Sequence, residues 1–141
     1  MQFNNFDELA MNRCFELAEE ARKRGDGPVG SLLVDLGGLI IAEEGERNIT
    51  EGIFAHAEIL TIINAINAHR SNDLDGYTLY TTNEPCFMCT FAIRQTKISR
   101  VVFARKTLDI GGISSNYPIL AATNITNWGN APEVVHLEVA E

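Results

Sequence analysis

Long apolar runs are missing from this chain. No stretch reaches the length needed to span a bilayer, so no membrane role is expected. The opening residues, Met1-Gln2-Phe3-Asn4-Asn5, carry neither a basic cluster nor an apolar segment, which speaks against a secretory leader and for a cytoplasmic setting. Cysteine is scarce. Three residues make a disulfide framework improbable in a reducing compartment. Positive charge is scarce as well: 11 lysines and arginines stand against 19 acids, a formal net charge of −8. Proteins that grip polyanionic nucleic acid usually carry basic patches, so a nucleic-acid partner is not expected and a small substrate is favoured. The chain also lacks internal repeats and low-complexity segments.

What remains is an ordinary globular composition, with 45% hydrophobic and 21% charged residues in 141. That length suits a single domain, residues 1–141, with one core. Asn5-Phe6-Asp7-Glu8 resembles a capping box, and Phe6, Leu9, Ala10, Cys14, Leu17, Ala18 and Ala21 recur at helical spacing up to Gly25. Residues 29–34 and 39–43 read as strands joined by a Gly37-Gly38 turn. A second helix opens near Ala55. It is apolar over much of its circumference, which predicts that it is sandwiched. Residues 77–82 read as a strand. A helix to about Gln95 follows, with Pro85 in its first turn, and then a strand over 100–104. Strand, helix, strand in that order implies a parallel pair. Residues 117–122 are read as a short helix and 133–139 as a last strand. The fold class is therefore α/β: a mixed sheet with helices on both faces.

Two short motifs carry the chemistry. Cys86 and Cys89 stand at i and i+3, on one face of a helix that follows a strand. Thirty residues upstream is His56-Ala57-Glu58. Two thiolates and an imidazole form a zinc ligand set that leaves a fourth position for water, and Glu58 stands ready as a base. His56 and Glu58 are only two residues apart and would diverge in mid-helix. They can serve one site only in the first turn. Other readings of the motifs are a redox pair of thioredoxin type and a closed structural zinc site with Glu58 as fourth ligand.

His56-Ala57-Glu58 followed by Pro85-Cys86-x-x-Cys89 resembles the zinc signature of the cytidine deaminase superfamily. Glu84-Pro85-Cys86-Phe87-Met88-Cys89 resembles the branch that holds tRNA adenosine deaminases, guanine deaminases and fungal cytosine deaminase, as do Gly27-Pro28-Val29-Gly30 and residues 100–105. The resemblance implies a three-layer α/β/α domain with a five-stranded mixed sheet and a homodimer or larger assembly. It implies zinc held by His56, Cys86 and Cys89, with Glu58 as proton shuttle. It places substrate near Asn48, Ala57 and Pro85, with backbone N–H groups around Ala57 and Cys86 bracketing the reacting centre. Gly52-Ile53-Phe54 departs from the branch pattern, and Phe54 is read as lining the pocket wall or filling the core. The expected activity is zinc-dependent hydrolytic deamination of a free nucleobase or small nucleoside, releasing ammonia. The tRNA enzymes of the branch continue into a C-terminal helix that this sequence does not show, which with the acidic balance favours the small substrate. The alternatives are a tRNA adenosine deaminase and a non-catalytic zinc-binding partner subunit.

Overall fold

The computed structural model describes residues 5–138. Helix α1 spans Asn5–Arg24, strand β1 Gly30–Val34 and strand β2 Ile40–Gly45. They are followed by helix α2 (Ala57–His69), strand β3 (Thr78–Asn83) and helix α3 (Phe87–Thr96). Strand β4 (Arg100–Arg105), a single 3-10 turn at Leu108–Ile110 and strand β5 (Glu133–His136) complete the order. The sheet order is β2-β1-β3-β4-β5. Strand β1 runs antiparallel to both its neighbours, β2 and β3, and β3, β4 and β5 run parallel. This is the expected five-stranded mixed sheet. Val139, expected in the last strand, lies outside the described residues.

Two cores sandwich the sheet. Met11 and Cys14 of α1 pack with Leu32, Tyr80 and Val102 on one face. Ile62 and Ala65 of α2 and Ile93 of α3 pack with Leu33, Leu79 and Val101 on the other. Leu32 and Leu33 are adjacent and both fully buried, which only a central strand covered on both faces allows. Gly30 lets α1 approach: a Cβ there would collide with the Cys14 carbonyl oxygen.

The α1 stripe differs from its sequence reading. Phe6 and Leu9 are exposed, while Met11 and Asp7 are buried. Asp7 takes both guanidinium arms of Arg100 at 2.8 Å and the Tyr80 hydroxyl at 2.5 Å. A first-turn acid thereby ties α1 to β3 and β4. Helix α2 is not sandwiched: Ile63 is 47% exposed, because α2 lies at the outer side of the sheet layer with α3 beside it only in part. No helix forms over residues 117–122. The Ile119 and Leu120 carbonyls accept instead from the buried Arg94 guanidinium, which also bonds Gly129 and lies over Trp128. Among the described residues no helix is long and apolar enough to cross a membrane.

Candidate active site

The site sits at the carboxyl ends of the parallel strands β3 and β4, where open α/β sheets place their ligands. Two helices begin there. His56 is the N-cap of α2 and Cys86 the N-cap of α3, both in extended conformation and neither making a side-chain capping bond. Their side chains are free to face one another. The extended His56 followed by two helical residues also brings Glu58 to the same cavity, as the His-x-Glu spacing demands. Both helix N-termini direct their positive ends towards the site, which favours thiolate.

The three donor atoms form a tight triangle. The Cys86 and Cys89 sulfurs are 3.7 Å apart, and each lies 3.5 Å from His56 Nδ1. Zinc–sulfur bonds of about 2.3 Å and a zinc–nitrogen bond of about 2.0 Å at tetrahedral angles require separations of roughly 3.8 and 3.5 Å. The donors match in type and in spacing, so the residues fit zinc. Among the described residues they are the only cluster of three or more such ligands. The three donors also set one another's protonation. The Cys86 thiol is held down to about 4 by its bond to Cys89 and by His56, and His56 is raised to about 9 by Cys86. The Cys89 thiol is pushed up by Cys86 and by burial.

Glu58 is 4% exposed and faces a cavity of about 150 Å³. Burial pushes its carboxyl up to about 8, and the Glu46 carboxylate adds to the rise. Glu46, His56 and Cys86 line the same cavity, walled by Val29, Asn83, Glu84, Thr107 and Ile110. The larger clefts, about 420 and 450 Å³, lie elsewhere and gather no such cluster.

The four residues expected to touch substrate do not line this cavity. Asn48 turns its side-chain oxygen to the Gly27 N–H at 2.9 Å. Asp26 holds that loop by accepting from the N–H groups of Ile49 and Thr50 and from the Thr50 hydroxyl. Phe54 is 71% exposed. The Pro85 carbonyl accepts from the Gly112 N–H at 2.8 Å. Ala57 is fully buried, and its N–H, expected to face the reacting centre, donates to the Glu46 carboxylate at 2.6 Å. Glu46 and Thr107 escaped the sequence reading, and Glu84 entered it only as part of the branch motif, without a role in the site. An acid directly before Pro-Cys in a β-forming stretch was the available signal for Glu84: a strand end that leads into the site buries it.

The model of the family described as "Cytidine and deoxycytidylate deaminase zinc-binding region" matches residues 4–105. The chain is 38% identical over 115 residues to the tRNA-specific adenosine deaminase of Haemophilus influenzae, covering 81% of this chain and 66% of that protein. It is 38% identical over 97 residues to the tRNA-specific adenosine deaminase of Bacillus subtilis, covering 69% and 60%. The chain thus spans about two thirds of the length of these curated relatives. A solved structure from a study of A-to-I editing by tRNA:A34 deaminases superposes with a TM-score of 0.81 at 31% identity, over 90% of both chains. The guanine deaminase of Bacillus subtilis superposes with a TM-score of 0.68 at 35% identity, over 74% of this chain and 66% of that one. The sequence relatives overturn the expectation of a free nucleobase or small nucleoside, and with it the expectation of no nucleic-acid partner. That expectation rested on a C-terminal helix not seen in the sequence and on net charge, which averages the whole chain. Five of the acids counted in it, Asp7, Asp26, Glu46, Glu58 and Glu84, are buried and present no surface to a partner.

Proposed function

The chain belongs to the cytidine and deoxycytidylate deaminase zinc-binding family, and from that premise we propose that it is a zinc-dependent hydrolytic deaminase acting on an adenosine of tRNA. The observation that carries the substrate is the 38% identity to a tRNA-specific adenosine deaminase across 81% of the chain. His56, Cys86 and Cys89 would hold the metal. Zinc, when bound there, supplies a Lewis acid that makes water acidic near neutral pH. Glu58 accepts the proton of the attacking water and delivers it to the amino group, so that the bond from adenine C6 to nitrogen breaks and ammonia leaves. Its burial keeps bulk water from competing for that proton.

The cavity, at about 150 Å³, is smaller than the usual 300–1,000 Å³ of drug-sized ligand sites. Such a volume supports entry of one flat base, with the RNA backbone left outside. A base presented in an unpaired loop enters at the least unstacking cost. The exposed apolar residues of α2 and α3, Ile63 and Phe91, support a homodimer, and a tRNA substrate fits a cytoplasmic setting.

The test is inosine formation in a tRNA anticodon stem-loop bearing a wobble adenosine. The wild-type chain should convert it. Glu58→Gln should lose about 10²- to 10⁴-fold in kcat while keeping one zinc per chain. Faster turnover of free adenine, guanine or cytosine than of the stem-loop would overturn the substrate.

A further inference from the structure

We infer that Glu84 is a positioning residue, whose buried carboxylate fixes the strap of residues 107–114 as a wall of the active-site cavity and so sets where the base sits. Glu84 is 1% exposed at the end of β3. Its Oε1 accepts from the Thr107 N–H at 3.1 Å and the Ser114 hydroxyl at 2.5 Å. Its Oε2 accepts from the N–H groups of Ile113 at 2.8 Å and Ser114 at 2.7 Å. Four donors converge on a group with about four acceptor sites, which leaves it saturated. The backbone adds to the hold: the Thr107 hydroxyl donates to the Glu84 carbonyl at 2.6 Å, and the Gly112 N–H to that of Pro85 at 2.8 Å.

The strap has little of its own to hold it. Its regular structure is one three-residue 3-10 turn, entered at Leu108 in the left-handed region at φ 61°. Yet it puts Thr107 and Ile110 on the cavity that His56, Glu58 and Cys86 also line. Packing is close enough that a Cβ on Gly111 would collide with the Glu84 carboxylate. Without that carboxylate, three N–H groups and a hydroxyl lose their acceptor at once, and the wall is free to shift. Glu84 itself supplies none of the three metal-ligating atoms. Its loss therefore loosens binding of the base ahead of the chemistry.

The substrate used to read this out rests on the tRNA reading above; the strap does not. Two variants of the zinc-loaded full chain are compared with wild type. In Glu84→Gln one acceptor becomes an amide donor that faces other donors. Ser114→Ala removes one donor only. Glu84→Gln should raise KM for the stem-loop by about 10-fold or more with kcat within about threefold, the signature of lost ground-state binding. Amide hydrogen exchange should accelerate over 107–114 and stay unchanged in β1, with one zinc per chain retained. Ser114→Ala should show the same pattern with a KM increase of about threefold. Unchanged KM and exchange in both variants overturns the inference, as does a fall in kcat that tracks zinc loss. If Glu84→Gln does not fold, Ser114→Ala decides alone. If wild type is inert on the stem-loop, the proposed function fails while the exchange comparison still decides the strap.

Discussion

Arg100→Met should be among the most damaging single changes outside the active site. Arg100 places both guanidinium arms on Asp7, whose side chain is 1% exposed, and reaches Glu133 at 3.1 Å. Methionine keeps the stem and takes both guanidinium arms away from the buried carboxylate, which keeps the Tyr80 hydroxyl at 2.5 Å. Removing one partner of a buried pair costs about 3–5 kcal/mol. For a domain of this size each kcal/mol lowers Tm by roughly 4 °C, so the expected drop is about 12–20 °C. Asp7→Leu should cost less, about 2–3 kcal/mol, because Arg100 keeps Glu133. The double variant restores an apolar contact, takes the acceptor from the buried Tyr80 hydroxyl and leaves Glu133 to solvent, about 1–3 kcal/mol. The two singles together thus exceed the double by at least about 2 kcal/mol. Urea unfolding of the four proteins, all zinc-loaded, measures the cycle. Zinc content should not change, since the pair lies at the start of β4 and the site beyond its end. Additive single effects, or an Arg100→Met cost under about 1 kcal/mol, would refute the reasoning.

Three further outcomes are expected. Cys86→Ala should bring zinc well below one equivalent per chain and abolish activity. Chelation of the wild type should do the same reversibly, with metal analysis as the readout; retained full zinc would break the assignment of the ligand triangle. Glu46→Gln should move the acid limb of the kcat/KM profile to lower pH. Glu58 must be ionised to accept a proton, its pKa is pushed up to about 8 by burial and then by the Glu46 carboxylate, and removing that charge lowers it. A limb that stays or rises would remove Glu46 from the site's electrostatics. Gly30→Ala should destabilise by about 3 kcal/mol, because the added methyl meets α1 backbone, which cannot turn aside. Denaturant midpoints within error of wild type would show that α1 is not seated there.

The strands were legible because β1 and β4 are buried on both faces and read as apolar runs, while β3 is rich in β-forming threonine and tyrosine. The α1 face was legible only in part. Helical spacing gives a stripe but not its centre, and the sheet contact centres on Met11 and Cys14, which leaves Phe6 and Leu9 at the rim. Residues 117–122 looked helical by composition, but their carbonyls are claimed by Arg94, 25 residues away in sequence. The same holds in the site. His56, Glu58, Cys86 and Cys89 declare themselves because ligation fixes their spacing within two short motifs. Asn48 was placed by the family resemblance, and Phe54, Ala57 and Pro85 by adjacency to those motifs. Asn48, Ala57 and Pro85 bond instead to Gly27, Glu46 and Gly112, partners that no local pattern names.

Substrate was the least legible property, and net charge shows why. The balance of −8 counts every acid as if it opposed a polyanion. Asp7 is paired with Arg100, and Asp26 lies 3.4 Å from Arg24, so these two acids cancel within the balance and the excess comes from others. Glu84 spends its charge on four donors inside the fold, and burial raises the pKa of both Glu46 and Glu58. The acids that build the site thus make the chain look unsuited to RNA. Phosphate contacts and base contacts are also separate tasks: the first set grip and register, the second set identity. A small cavity entered by one base performs the second with a handful of buried groups, most of which add nothing positive to the sum. Grip can come from a few basic residues anywhere around the mouth. A whole-chain charge therefore discriminates poorly between an enzyme for a free base and one for the same kind of base carried on RNA.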